Sequence, residues 1–363
     1  MRKKTMFLMP VAAMLLASCS NDEVVETNTG TPIDFRIGMA TRAIETTVTN
    51  LPSIYVTAFN DDGGNSFFDE FKKKDVTAEY RSEQKHYWLG DGKTMQFYAY
   101  APSKEELGVT PDITPTSQKL DDFVPASQAS AQKDFITAYA TGTEAANGST
   151  GVPLHFEHRL SQIEVRAKNS NTNYVYKVKG VRISEIKSKG TFDFKVKTWD
   201  LKQENANYWA TYDTPVTLGG EMKSIMDKES STTNSNVMIL PQTLTAWDKS
   251  ENNTNKGAYL AILVNIETRD GGIVFPAAKG QYSYVSVPIS QTWNAGKKYV
   301  YQLDFSNGGG LVSPPVNPTD GTDEGSGDGW TPGEPVLGQE IFFTVEVTNW
   351  VEEVKPIDMP NSN

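Results

Sequence analysis

The chain holds one cysteine and three histidines in 363 residues, too few for a disulfide framework or a multi-ligand zinc site. His155-x-x-His158 is the one close pair. On a strand, positions three apart point to opposite faces, so the pair cannot chelate unless the backbone turns between them; packing of His158 at a strand bend is expected. HExxH, the G-x-S-x-G nucleophile elbow and the phosphate loop with its lysine are all missing, which removes the usual hydrolase and nucleotide-binding signatures. Gly325-x-Gly327-x-Gly329 lies in a Gly/Pro/Asp stretch and not between a strand and a helix. Basic residues are outnumbered 34 to 45, and no basic stripe with interleaved aromatics interrupts the net charge of −11. Such a chain repels phosphate backbones, which excludes nucleic acid as a partner. Carboxylates are plentiful, yet nothing singles out two as a glycosidase-like pair, and the run Asp320 to Asp328 lacks the ligand spacing of an EF-hand loop. No catalytic residue, metal or cofactor is expected, and the chain reads as a non-enzyme.

What is present begins at the N-terminus. Arg2, Lys3 and Lys4 precede an apolar run from Met6 to Leu16 that closes with Leu16-Ala17-Ser18-Cys19. The run is too short to span a bilayer, and small residues before a cysteine are what a lipoprotein signal peptidase accepts before the thiol is acylated. Residues 1–19 are therefore read as a lipoprotein signal peptide and Cys19 as the lipidated residue, which tethers the precursor to a membrane.

The remainder, at 38% hydrophobic residues, has apolar content enough for packed cores and length for about two domains. Its segments are short, alternating and rich in Val, Ile, Tyr, Phe and Thr, with Gly, Asn, Asp or Pro clusters between them, the pattern of an all-β protein. Leu51–Asn60, Met95–Pro102 and Asp134–Tyr139 read as strands of a first domain. Thr141 to Gly151 has little to bury and is taken as the joint. The strand pattern resumes with Val152–Phe156, Ile163–Ala167 and Lys179–Ile186. A hairpin turn at Arg269-Asp270-Gly271-Gly272 is expected between Tyr259–Ile266 and Tyr282–Val287, and Lys298–Phe305 follows. Gly308 to Gly338 is read as an extended tether. The expected organisation is thus 20–42 propeptide, 43–150 and 151–307 β-domains, and 308–363 linker and terminal strand. The seven tryptophans are read as packing aromatics in preference to a sugar platform.

Two stretches at opposite ends share one pattern. Ile33, Phe35, Ile37 and Met39, and again Ile341, Phe343, Val345 and Val347, present four apolar side chains at period two, so each is a half-buried strand suited to the same groove. Thr41-Arg42-Ala43 follows the first and the Gly/Pro/Asp stretch precedes the second. One strand looks removable and the other deliverable. The tether also gives residues 341 to 347 the reach to fold back onto the chain itself, which would leave a monomer.

The order and spacing of these segments resemble the fimbrillins, subunits of the type V pili of Gram-negative anaerobes. The resemblance covers nearly the whole chain. It rests on the lipobox ending at Cys19, Ile33-x-Phe35 followed by Thr41-Arg42-Ala43, and Phe97-Tyr98-Ala99-Tyr100-Ala101-Pro102. Leu154-x-Phe156-x-His158-x-Leu160-Ser161, Leu240-Pro241-Gln242-Thr243, Trp293-Asn294-Ala295-Gly296-Lys297-Lys298-Tyr299 and the closing Ile341-x-Phe343-x-Val345 with Trp350 complete it. It implies two transthyretin-like β-sandwich domains with a C-terminal donor-strand extension, carried to the outer membrane as a lipidated precursor. It further implies cleavage between Arg42 and Ala43 by an arginine-specific protease, loss of the first strand, and donation of the last strand to another copy or a related subunit in a head-to-tail polymer. A cell-surface fimbrium that supports adhesion, with host or bacterial surface ligands, is the implied setting. Within it, a stalk role is favoured over an anchor, a tip adhesin or a glycan-binding surface lipoprotein, because the chain has both Arg42 and a donor strand.

Overall fold

The computed structural model describes residues 30–39, 51, 53–60, 66–74, 80–82, 85–90, 92–226, 236–250, 256–314 and 329–350. Nine strands occupy the first part: β1 (Phe35–Met39), β2 (Ser53–Asn60), β3 (Ser66–Lys74), β4 (Tyr80–Ser82), β5 (Met95–Ala101), β6 (Asp112–Thr114), β7 (Ser117–Phe123), β8 (Ile136–Gly142) and β9 (Val152–His158). Seven of them close into a barrel in the order β1-β4-β3-β2-β5-β8-β9, a two-layer arrangement folded on itself so that a sheet edge is removed. Its core is built from alternate residues of each strand: Ile54, Val56 and Ala58 of β2, Phe97 and Ala99 of β5, Val152, Leu154 and Phe156 of β9.

The second part contains β10 (Ser161–Lys168), β11 (Tyr174–Lys187), β12 (Gly190–Asp193), β13 (Thr198–Leu201), β14 (Asn205–Thr217), β15 (Lys223–Ser224), β16 (Val237–Ile239), β17 (Gln242–Thr243), β18 (Tyr259–Thr268), β19 (Ile273–Phe275), β20 (Ser283–Pro288), β21 (Thr292–Trp293), β22 (Lys297–Asp304), β23 (Leu311–Val312) and β24 (Phe342–Asn349). Two sheets, β15-β10-β22-β24 and β14-β11-β18-β20-β23, face each other as a sandwich. Ile163 and Val165 from one sheet meet Val181, Ile183, Leu260 and Ile262 from the other in the largest core. The turn at Asp270-Gly271 forms with Thr268 N–H donating to Gly272 O at 2.8 Å. It leads first to β19, and β20 then pairs with β18 farther along.

Three expectations need correction. The first part does not end at Gly151, because β9 pairs with β1 and β8 inside the barrel. Thr141 to Gly151 is a connection within the barrel; Thr143 caps a short helix there by accepting from Ala146 N–H at 3.3 Å. Nor are the two parts separate packing units. β7 of the first pairs with β12 of the second, and a third core lies between the barrel's outer face (Phe59, Tyr98, Tyr100) and Leu120, Phe123 and Phe192 of that mixed sheet. Finally, Gly308–Gly310 are not slack. A Cβ at Gly309 would sit 2.7 Å from Val336, and one at Gly310, where φ is +91°, 2.8 Å from Ile341 Cδ1. These glycines let two backbones approach closely: Val336 N–H donates to Gly310 O at 2.8 Å and Gly309 N–H to Val336 O at 3.0 Å. The acidic run 320–328 lies outside the described residues.

Candidate functional site

β1 is the seam that closes the barrel. It runs parallel to β9, with Phe35 opposite Val152, Arg36 opposite Pro153, Ile37 opposite Leu154, Gly38 opposite His155 and Met39 opposite Phe156. Its other edge meets β4, with Phe35 opposite Tyr80. Upstream, Ile33 N–H donates to His86 O at 2.8 Å and Trp88 N–H to Thr31 O at 3.0 Å. Ile33 and Phe35 are 3% and 5% exposed, Ile37 is half-buried against the same core, and the Phe35 ring meets Phe97 edge-on at 5.5 Å. Burying Ile33 and Phe35 contributes about 3–6 kcal/mol gross, at about 1.5–3 kcal/mol each. Removing β1 would uncover that apolar surface together with the ladder edge of β9. Arg42 and Ala43, three and four residues beyond Met39 in the sequence, lie outside the described residues, as does Cys19.

The C-terminal stretch folds back onto its own domain. β24 adds antiparallel to β22, with Phe343 opposite Leu303, Val345 opposite Tyr301 and Val347 opposite Tyr299, and forms the edge of its sheet. The ladder runs the length of the strand, and side-chain burial is greatest at its two ends. Ile341, just before it, is buried in the sandwich core, and Trp350, just after it, is 1% exposed. Between them, Phe343 and Val345 are half-buried, while Phe342 and Val347 are 68% and 50% exposed. The Phe343 ring lies 6.2 Å from Tyr301, and Gln302 Nε2 donates to Glu346 Oε2 at 3.2 Å. Of the four-residue stripe, Val347 is the member left exposed where the strand stands.

Electrostatics beside β24 are structural. Burial pushes the Glu164 carboxyl up, but hydrogen bonds from Arg166 and Lys298, each at 2.6 Å, outweigh it and hold the group below the usual carboxylate range. His155 is exposed and His158 buried, the opposite faces that strand geometry requires. His158 Nδ1 lies 2.7 Å from Asp134 Oδ2, and its ring stacks on Trp350. Spacing alone could not reveal that triad, because its members come from three separate segments. Among the described residues no group of three or more His, Cys, Asp or Glu could hold a metal. Trp88, Trp247, Trp293 and Trp350 are buried, and the other three tryptophans are half-buried, which makes them packing residues.

These features define an all-β protein, a barrel and a sandwich fused through a shared core, with β1 closing the barrel and β24 at the edge of a sandwich sheet. Residues 41–320 match the fimbrillin-like family, and the chain belongs to that family. It is 27% identical over 242 residues to the fimbrium subunit Fim1C of Phocaeicola vulgatus, covering 56% of this chain and 64% of that protein; the match thus spans less than two thirds of the relative. In fold it is similar to a crystal structure of a fimbrial protein from Bacteroides vulgatus, with a TM-score of 0.53 and 16% identity over 88% of this chain and 99% of the other.

Proposed function

We propose that this chain is a structural subunit, of the stalk kind, of a cell-surface fimbrium, and that it polymerises by exchange of a terminal strand. The observation that carries the reading is the match between two strands, one that closes the barrel and one at a sheet edge. The barrel is closed by a short strand that runs parallel to β9 and packs Ile33 and Phe35 into the core, and the sandwich ends in an edge strand that repeats the Ile-x-Phe-x-apolar-x-apolar order. In this reading Cys19 carries the lipid that takes the precursor to the outer membrane. An arginine-specific protease then cuts between Arg42 and Ala43, and Ile33, Phe35, Ile37 and Met39 leave with the propeptide. The vacated groove accepts Ile341, Phe343, Val345 and Val347 from another copy or a related subunit. An emptied groove with an unpaired ladder edge is avid for any strand of matching pattern. Donor and acceptor lie at opposite ends of one chain, so each contact is heterologous and the product is an open filament. Adhesion to host or bacterial surfaces is the role such a filament serves.

The test is to digest Ser20–Asn363 with an arginine-specific protease, sequence the new N-terminus, and run the product unboiled on a denaturing gel beside a deletion of 341–347. A start at Ala43 with a ladder absent from the deletion supports the reading. Resistance at Arg42, or cleavage that yields monomer alone, points to an anchor or a surface-binding lipoprotein.

A further inference from the structure

Resting on that reading, we infer the register of the exchange and a contact that exists only in the polymer: Glu346 of the incoming strand lies beside His155 of the accepting subunit. The incoming strand can run in either direction and slide in steps of two residues, and the groove discriminates among these choices. Phe35 is the one aromatic that β1 places in the groove's core, edge-on to Phe97. Phe343 is the one aromatic in the donor stripe. A slide of two residues either way would put Val345 or Ile341 where the Phe35 ring sits and leave Phe97 without its partner ring, whereas volume-conserving replacement is tolerated best. With Phe343 in place, a strand antiparallel to β9 would bring Gln339 to the position opposite Phe156. A parallel strand brings Val347 there and fills all four positions with apolar side chains. The parallel, unshifted fit therefore sets Phe343 opposite Val152, Val345 opposite Leu154 and Val347 opposite Phe156, as Phe35, Ile37 and Met39 are in β1.

The same register fixes the outer face. Thr344 takes the place of Arg36, and Glu346 takes the place of Gly38, opposite His155. In β1 that position is glycine, and a Cβ there would lie 3.0 Å from His155 Nδ1; the exposed imidazole rests across the space a side chain would occupy. Glu346 displaces the ring, and its carboxylate is then within reach of an imidazole N–H, an opposite-charge cross-strand pair when His155 is protonated. The first strand, with glycine there and Arg36 two residues before, cannot make this contact. In its own domain Glu346 stands opposite Val300. The pair therefore marks the exchanged state and its register.

The experiment uses Ser20–Asn363 with Cys19 already absent, carrying His155→Cys and Glu346→Cys, processed by the protease and then oxidised. The inference expects a covalent ladder that survives boiling and collapses on reduction. His155→Cys combined with Thr344→Cys or with Thr348→Cys should give at least tenfold less. A ladder from either of those pairs in place of Glu346→Cys overturns the register, as does an assembled, heat-labile ladder that no cysteine pair makes covalent; both outcomes leave exchange standing. Absence of any polymer from the unsubstituted chain overturns exchange itself and the inference with it. Should the cysteines impair assembly, charge exchange supplies the second readout. Glu346→Lys is expected to slow assembly at least twofold, and His155→Glu added to it to restore the rate; no restoration overturns the contact.

Discussion

The indole of Trp350 lies flat on the imidazole of His158, ring centroids 4.4 Å apart and planes inclined by 17°. His158 ends the last barrel strand and is held by Asp134 at 2.7 Å, so the residue that closes the C-terminal strand is seated on the first part of the chain. The Trp350 backbone N–H also donates to Gly296 O at 3.0 Å. Trp350→Ala should destabilise the full chain by about 3–5 kcal/mol, the cost of a large-to-small change in a packed core. It should also raise hydrogen exchange along residues 342–349. Urea unfolding and exchange mass spectrometry read the two effects.

Gly310 is the second fixed point of that strand. With φ at +91° and Ile341 Cδ1 2.8 Å from where a Cβ would be, Gly310→Ala combines backbone strain with a clash against a buried side chain. A loss of about 1–3 kcal/mol is expected, the usual cost of forcing a side chain into such a backbone region. A mobile tether at this point would instead tolerate alanine with no change in the unfolding midpoint.

Stability should fall at both extremes of pH. Burial pushes the Tyr98 hydroxyl up to about 12, with smaller contributions from Tyr139 and Asp193, and burial raises Tyr100, Tyr176, Tyr208 and Tyr301 further. In the unfolded chain tyrosines ionise near pH ~10. Stability is thus fully present below that pH and lost as pH rises through the folded values. Glu164 acts in the opposite sense: its folded pKa is depressed, so its contribution is present above the ordinary carboxylate range and lost as pH falls through and below it. Circular dichroism against pH should show a plateau between these limits, and Glu164→Gln should flatten the acid limb.

Phe343→Asp separates folding from assembly. In its own sheet the side chain is half-buried beside Tyr301, so the monomer should stay folded at a cost of about 1–3 kcal/mol. In the groove left by β1 the same carboxylate would face Phe97 in a dry core. Assembly after protease treatment should be lost, as seen on an unboiled gel, while far-ultraviolet circular dichroism is unchanged; undiminished polymers from this variant would remove Phe343 from the donor role.

How far the sequence led depended on whether a feature was local. Period-two stripes at Ile33–Met39 and Ile341–Val347 are local, and each lies largely on a strand, β1 from Phe35 and β24 from Phe342. Val152–Phe156 was legible as a strand but not as a barrel strand, because what assigns it is parallel pairing of Val152 with Phe35, more than a hundred residues earlier. Gly308-Gly309-Gly310 read as slack because glycine serves equally for freedom and for close approach, and Val336 and Ile341 decide between them. Asp134, His158 and Trp350 carry no spacing signal at all, since burial and stacking alone unite them.

In the proposed exchange, the groove vacated by β1 accepts the C-terminal strand. The chain lacking 341–347, trimmed after Arg42, is titrated with a peptide of residues 339–350 by calorimetry and native mass spectrometry. A one-to-one complex is expected with the trimmed chain, none with the untrimmed chain, and none with a peptide carrying Phe343→Asp. Equal binding to trimmed and untrimmed chains, or binding to neither, would contradict it.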